Sequence, residues 1–261
     1  MRPFGTGWKA DAPGTHPHAR ALGLAPASGD VDLSGAIVSV LDQASTEFCV
    51  VFSGNQGKRA LEVLDGVPNP PLGCLLADAR RARAYNGDQD QNVGMHPSDL
   101  LRAWNEYGYA DEDAFPFDET KFATPLPVDL ARRSADQVGK VDAFEVGDGA
   151  LALDLMLAGL HDAKPKLSIV PIPVDDGFQA YSSGVWMFAG TVTDQTPLHA
   201  TLLVGAIGAN ALICNSWSEG WGIPDPAGRF TGGFFLTPLD HLARILQPGG
   251  LVLRRTPPTS G

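Results

Sequence analysis

The sequence predicts an α+β protein. Helical periodicity is concentrated in its first half and strand patterns in its second. Between an extended lead-in and the first helix lies a polar turn that runs directly into an apolar stretch opened by a cysteine. That stretch, Asp42-Gln43-Ala44-Ser45-Thr46-Glu47-Phe48-Cys49-Val50-Val51, organises the rest of the chain. A thiol at a helix N-terminus sits where free amide groups and the helix dipole favour a thiolate. The amide of Cys49 and the side-chain amide of Gln43 together suit a developing oxyanion. A thiolate needs a base. His199 supplies one in Pro197-Leu198-His199-Ala200-Thr201, and Asn215 follows in Cys214-Asn215-Ser216-Trp217.

Taken in order, residues 1–30 are rich in Pro, Gly and Ala without helical or strand period, and read as an extended arm. Residues 31–41 read as an extended lead-in. From Cys49 to about Leu64, the apolar stripe Val50, Val51, Ala60, Leu61 and Leu64 predicts a helix, with Gly54-Asn55-Gln56-Gly57 as an interruption. After the proline knot Val67-Pro68-Asn69-Pro70-Pro71, a helix is predicted over 72–85, with Arg80, Arg81 and Arg83 on its exposed side. Residues 86–92 form a polar loop. A third helix starts at Pro97-Ser98 and closes at Gly108. Beyond it, residues 141–146 read as a strand, 150–160 as a helix ended by Gly159, and 168–174 as a strand held open by prolines. Residues 199–205, 211–215 and 234–236 complete the strands.

At 261 residues the chain can bury a large core. Its net charge of −11 argues against nucleic acid and against an anionic membrane surface. No apolar run approaches the roughly 20 residues that span a bilayer. Met1-Arg2-Pro3-Phe4-Gly5 lacks the apolar centre of a secretory signal, so synthesis in the cytoplasm is expected. With 3 cysteines and Cys49 as a free nucleophile, at most one disulfide remains; Cys74 and Cys214 are assigned to packing in a reducing compartment.

No metal or cofactor is expected. Asp88-Gln89-Asp90-Gln91-Asn92 with Asp99 approaches a calcium loop, but Val93 stands where glycine is required and the last ligand is Asp rather than Glu. A solvated loop is the reading. His16 and His18 bracket a proline in the arm and are not assigned a metal. Gly54 to Gly57 lack the Lys-Ser context of a phosphate cradle and read as a turn.

In order and role, Gln43, Cys49, His199 and Asn215 resemble the oxyanion glutamine, nucleophile, base and orienting amide of the papain-like cysteine peptidases. The Cys-to-His separation fits that family, and Asn215-Ser216-Trp217 with Trp221-Gly222 is similar to its Asn-Ser-Trp signature. Gly7-Trp8-Lys9-Ala10-Asp11 and Val31-Asp32-Leu33 resemble a bacterial and phage branch. Ala114-Phe115-Pro116-Phe117-Asp118 and the segment 178–185 resemble further family stretches.

The resemblance implies a two-lobed fold following the arm. A helical lobe would cover about 31–130 and an antiparallel β-sheet lobe about 131–261, with the active site in the cleft between them. It also implies a thiol hydrolase acting on peptide or isopeptide bonds of a peptide or protein substrate. Asn215 would orient the imidazole, and Trp217 would shield that hydrogen bond. Glu47, Phe48, Gly94, Met95, Leu198 and Trp217 are the candidates for lining the substrate groove.

The sequence departs from the family at Thr46-Glu47-Phe48, where the family has a small Gly-Ser approach, and at Ser218, where it has glycine. The arm is also shorter and less regular than the family's helical prosegments. These departures motivate a rival reading: a module of the same fold in a larger assembly, such as a virion or secretion machine, with a protein partner along the arm. A transglutaminase-like or amidase use of the triad shares the chemistry.

Overall fold

Helix α1 (Cys49–Leu64) is buried along almost its whole length. The computed structural model describes Lys9, residues 29–130 and residues 141–256, and in it α1 contacts both a large sheet and helices α2 (Leu75–Ala84) and α3 (Pro97–Tyr107). Its two glycines do not interrupt it. A Cβ on Gly54 would lie 2.7 Å from Leu100 Cδ2, and one on Gly57 2.7 Å from Leu253 Cδ1. Glycine is there because neighbours press against the backbone, and burial on that scale outweighs its roughly 1 kcal/mol propensity cost.

The second helix starts three residues later than the sequence suggests. Cys74 is extended at its N-cap, and the carboxylate of Glu112 accepts the Leu75 amide at 3.0 Å. The expectation that its arginines face solvent is corrected. Arg81 is 8% and Arg83 1% exposed. Arg81 donates to the Gly108 carbonyl at 3.1 Å, and the Arg83 guanidinium stacks 3.9 Å from the Phe48 ring centroid. Long cationic stems can bury while their heads find carbonyls and rings. Helix α3 starts on Pro97 and is closed by Gly108 at φ 65, as its sequence predicts.

Among the described residues, seven strands form one antiparallel sheet: β1 (Val31–Asp32), β2 (Val141–Val146), β3 (Leu167–Pro173), β4 (Leu198–Ile207), β5 (Asn210–Cys214), β6 (Phe234–Pro238) and β7 (Gly250–Arg255). The order is β2-β7-β3-β4-β5-β6, with β1 added to β4. Strand β3 pairs with β4 only as far as Leu203, so β1 takes the same edge at Gly205 and Ala206. A Cβ on Gly205 would stand 2.6 Å from the Val31 carbonyl oxygen, so only glycine admits β1 there.

Pro171 and Pro173 lie inside β3 without interrupting it. The Val174 amide bonds to Pro197 at the β4 edge. Alternation then turns the proline nitrogens to the other edge, where β7 pairs only with Leu167 to Ile169. Helix α4 (Gly149–Leu160) contains Gly159 rather than ending at it. The sequence reading missed β7 and the helix before it, Leu239–Ile245. Apart from Lys9, the arm up to residue 28, with His16 and His18, lies outside the described residues. All three cysteines are free.

Within α1, Lys58 is wholly buried, with its Nζ 3.4 Å from the Tyr109 ring centroid and 3.6 Å from Glu62 Oε2. The Tyr109 hydroxyl donates to the other Glu62 oxygen at 3.1 Å. Burial pulls the Lys58 ammonium down from 10.5 to about 8 despite Glu62. A base depressed on folding binds fewer protons folded than unfolded between those values, so its contribution to stability rises with pH across that window and is unfavourable below it. Replacing the pair as a whole, Lys58→Met with Glu62→Gln, which keeps an acceptor for Tyr109, should therefore stabilise the protein by about 1–3 kcal/mol at pH 7. Urea unfolding at pH 7 and 9.5 should show the gain shrinking at the higher pH. A loss at pH 7 would mean that the pair with Glu62 is net favourable.

Candidate active site

Three local structures bring the predicted residues together. The turn before α1 is set by Asp42, whose carboxylate accepts the Ala44 amide at 2.8 Å, with Ala44 itself at φ 51. This places Gln43 against the segment after β5 that carries Asn215. The Gln43 amide donates to the Ser216 carbonyl at 2.9 Å, and the Gln43 side-chain oxygen accepts the Ser216 hydroxyl at 2.6 Å. Asp42 pairs with Trp217, and the Ser218 amide reaches the Leu41 carbonyl at 3.0 Å. The Gln43 side-chain amide has two N–H donors, and the Thr46 carbonyl takes one at 2.7 Å.

Cys49 is the first residue of α1, and His199 lies near the start of β4, beside Asn215, which directly follows β5. One turn along α1 from Cys49, the Ser53 hydroxyl donates to the Ala200 carbonyl at 2.9 Å. The next position on the buried side, Gln56, accepts the Leu41 amide at 2.9 Å and donates to Cys214 Sγ at 3.5 Å. Ser53 and Gln56 thus clamp α1 to the strands that present the histidine and asparagine. Sequence reading did not single them out, because each partner lies far along the chain. The recurrence of small or polar residues on an otherwise apolar helix was the available signal.

The hydrogen bonds assign the histidine tautomer. Asn215 Oδ1 accepts the Ser216 amide at 2.8 Å, so that atom is the carbonyl oxygen. His199 Nε2, 2.7 Å from the same oxygen, must be the N–H donor. Nδ1 is left as the basic nitrogen, buried and without a hydrogen-bond partner. The Trp217 ring lies 4.7 Å from the imidazole, and Phe178 lies 5.1 Å from Trp217. Phe178 is fixed by the turn α5 (Asp176–Gln179), where Asp175 accepts its amide at 2.7 Å. This aromatic wall keeps water from the His199–Asn215 bond.

Cys49, His199, Gln43 and Asn215 are all fully buried. Burial pushes the Cys49 thiol up to about 12, and Glu47 adds to the rise, while the amides of Ala200, Val50 and Cys49 oppose it. Burial also pulls His199 down to about 4, against the Asn215 bond. The sequence favoured a thiolate. Desolvation opposes that preference at both groups, raising the thiol and lowering the imidazole.

Of the groove candidates, Glu47, Gly94 and Leu198 are half-buried. The Glu47 amide donates to Asn92 Oδ1 at 2.9 Å. Phe48 is corrected: its ring is wholly buried beneath Arg83 and committed to α2. The Met95 side chain is likewise wholly buried, and its carbonyl accepts the Lys9 amide at 3.0 Å. Trp217 covers the histidine. Ser218 holds φ 65, a conformation that glycine adopts without strain.

Among the described residues, no group of three or more His, Cys, Asp and Glu is placed to hold a metal ion, and no helix is long and apolar enough to cross a membrane. In the acidic loop, Asp90 pairs with Arg80 at 2.6 Å and Asp99 accepts from Asn86 at 2.6 Å.

No protein-family model matches the sequence, and no curated protein matches it significantly. Solved structures do match. Xylellain, a cysteine protease from Xylella fastidiosa, aligns over 97% of both chains with a TM-score of 0.74 and 16% identity. Digestive procathepsin L2 proteinase from Tenebrio molitor larval midgut aligns over 97% of this chain and 78% of its own, at TM-score 0.73 and 19% identity. A cysteine protease from Carica candamarcensis aligns over 88% of this chain and 98% of its own, at TM-score 0.60 and 19% identity. At these identities the likeness is one of fold: the chain has the papain-like cysteine protease fold.

Proposed function

We propose that the protein is a thiol peptidase that hydrolyses peptide or isopeptide bonds through Cys49, His199 and Asn215, with Gln43 as an oxyanion donor. The observation that carries this reading is the histidine. Its Nε2–H is committed to Asn215, so its buried Nδ1 lone pair is unspent, on the residue preceding the amide that favours the Cys49 thiolate. The fold shared with known cysteine proteases supports the same reading.

When a substrate carbonyl enters, the Cys49 proton passes to His199 Nδ1 and sulfur bonds to the carbonyl carbon. The carbonyl π pair moves to oxygen, where the Gln43 side chain and the Cys49 amide donate hydrogen bonds. Collapse breaks the C–N bond, and the leaving amine takes the proton from Nδ1. Water then gives a proton to Nδ1 and its oxygen to the thioester carbon. The acid departs, and the proton returns to sulfur.

The test is hydrolysis of internally quenched peptides by the full chain. Activity should be lost in Cys49→Ala and after alkylation of Cys49 alone. Activity that survives Cys49→Ala would refute the assignment. Complete burial of Cys49 and His199 favours a second reading, a module of this fold with an idle centre in a larger assembly. That reading expects no turnover under any condition that admits substrate.

A further inference from the structure

In the proposed mechanism two donors meet the oxyanion, the Gln43 side chain and the Cys49 amide. The turn between them is held from outside by Asn92. Asn92 Oδ1 accepts the Glu47 amide at 2.9 Å, and Nδ2 donates to the Ser45 carbonyl at 3.3 Å. A flipped side-chain amide would set N–H against N–H and C=O against C=O, so only this orientation satisfies both. Glu119 grips the same turn at Ser45, accepting its amide and hydroxyl at 3.1 and 2.7 Å. The place of Asn92 is set by a buried arginine. Arg83 donates to the Gln91 carbonyl and stacks 3.9 Å from the Phe48 ring centroid. The residue before Asn92 and the residue after Glu47 thus share one guanidinium.

The Glu47 N–H and the Thr46 C=O belong to one peptide unit. That unit is planar and trans, so the two groups point in opposite directions. Holding the N–H at Asn92 therefore turns the Thr46 carbonyl the other way, where it accepts Gln43 Nε2 at 2.7 Å. Gln43 Oε1 is anchored separately, by the Ser216 hydroxyl at 2.6 Å. One anchor leaves a planar amide free to swing about it. Anchors on both oxygen and nitrogen fix its plane, and with it the direction of the second N–H. The hydrogen bonds run in series from Asn92 through the peptide to Gln43, and each polarises the next.

We propose that Asn92 is a positioning residue for the oxyanion donor, acting through the Thr46–Glu47 peptide to aim the Gln43 side chain. The inference rests on the peptidase reading for its effect on turnover, while the aim of Gln43 is a property of the folded protein alone. Neither hydrogen bond of Asn92 reaches Cys49 or His199, so the thiol and imidazole should not depend on it. Its effect belongs to the steps that form an oxyanion.

The experiment uses the full chain and internally quenched peptides. Asn92→Leu keeps the side-chain shape and removes both hydrogen bonds. It should lower kcat about tenfold with KM within about twofold, a fraction of the roughly 10²–10³-fold lost with an oxyanion donor itself. Asn92→Asp keeps an acceptor for the Glu47 amide and should recover most of that loss. Alkylation of Cys49 by iodoacetamide forms no oxyanion, so its rate and pH profile should be the same in Asn92→Leu and wild type. With Gln43→Glu already in place, Asn92→Leu should cost less than about twofold more, since the donor it aims is gone. An unchanged kcat, an equal fall in alkylation, no recovery in Asn92→Asp, or full additivity with Gln43→Glu would each overturn the proposal. A second readout needs no turnover. In nitrogen-15-labelled protein, the Gln43 side-chain NH₂ resonances, assigned by their loss in Gln43→Glu, should show one proton shifted downfield by the Thr46 carbonyl. Asn92→Leu should draw that proton back upfield. If the wild type never cuts peptides, the peptidase reading fails and this resonance decides for Asn92: a shift supports its role, and an unmoved pair ends it.

Discussion

Replacing His199 by alanine should lower kcat/KM by about 10³–10⁴-fold, or about 4–5.5 kcal/mol of transition-state stabilisation. The size follows from what the residue does alone. In the proposed mechanism its Nδ1, which has no hydrogen-bond partner, serves both as base for the thiol and as the acid that the leaving amine requires. The loss should fall mainly on kcat, since a buried imidazole offers little to ground-state binding. Asn215→Ala should cost less, because Trp217 still packs 4.7 Å from the ring and restrains it. A His199→Ala variant within tenfold of wild type would show that another group moves the proton.

Gln43 should carry the second large effect. Removing one oxyanion donor typically costs about 10²–10³-fold in kcat. Alanine is a poor probe, because Gln43 also holds the turn through Thr46 and Ser216. Gln43→Glu keeps the shape and the acceptor for the Ser216 hydroxyl while removing the N–H donors. It should lower kcat by about 10²-fold or more, and it should also lower the melting temperature, because a buried carboxylate replaces the donor to the Thr46 carbonyl. If kcat holds while the melting temperature falls, Gln43 is a brace and not a donor.

Much of this site was legible in the sequence because its parts are local. A polar turn, a cysteine and an apolar stripe specify α1 as Cys49–Leu64, and short apolar runs mark the strands on either side of His199 and Asn215. What escaped depends on packing across the chain. Strand β7 is a short apolar run near the C-terminus whose place between β2 and β3 no local pattern announces. Arg81 and Arg83 look like a solvated face, yet Gly108 and Phe48 cover them. Ser53 and Gln56 read as polar residues in a helix, and become clamps only once β4 and β5 lie against them. The expected thiolate was a statement about the helix terminus alone. Complete burial of the thiol works against it, a packing effect that the local pattern does not contain.

The most direct measurement is the rate of iodoacetamide labelling of Cys49, read by peptide mass mapping between pH 4 and 9, in wild type and His199→Ala. If imidazole and thiol act as a pair whenever the site opens, wild type should label well below the free-thiol range near about 8.5, and the histidine variant should lose that acidic limb. Rates that follow an ordinary thiol titration in both proteins would contradict the pairing, and with it the peptidase.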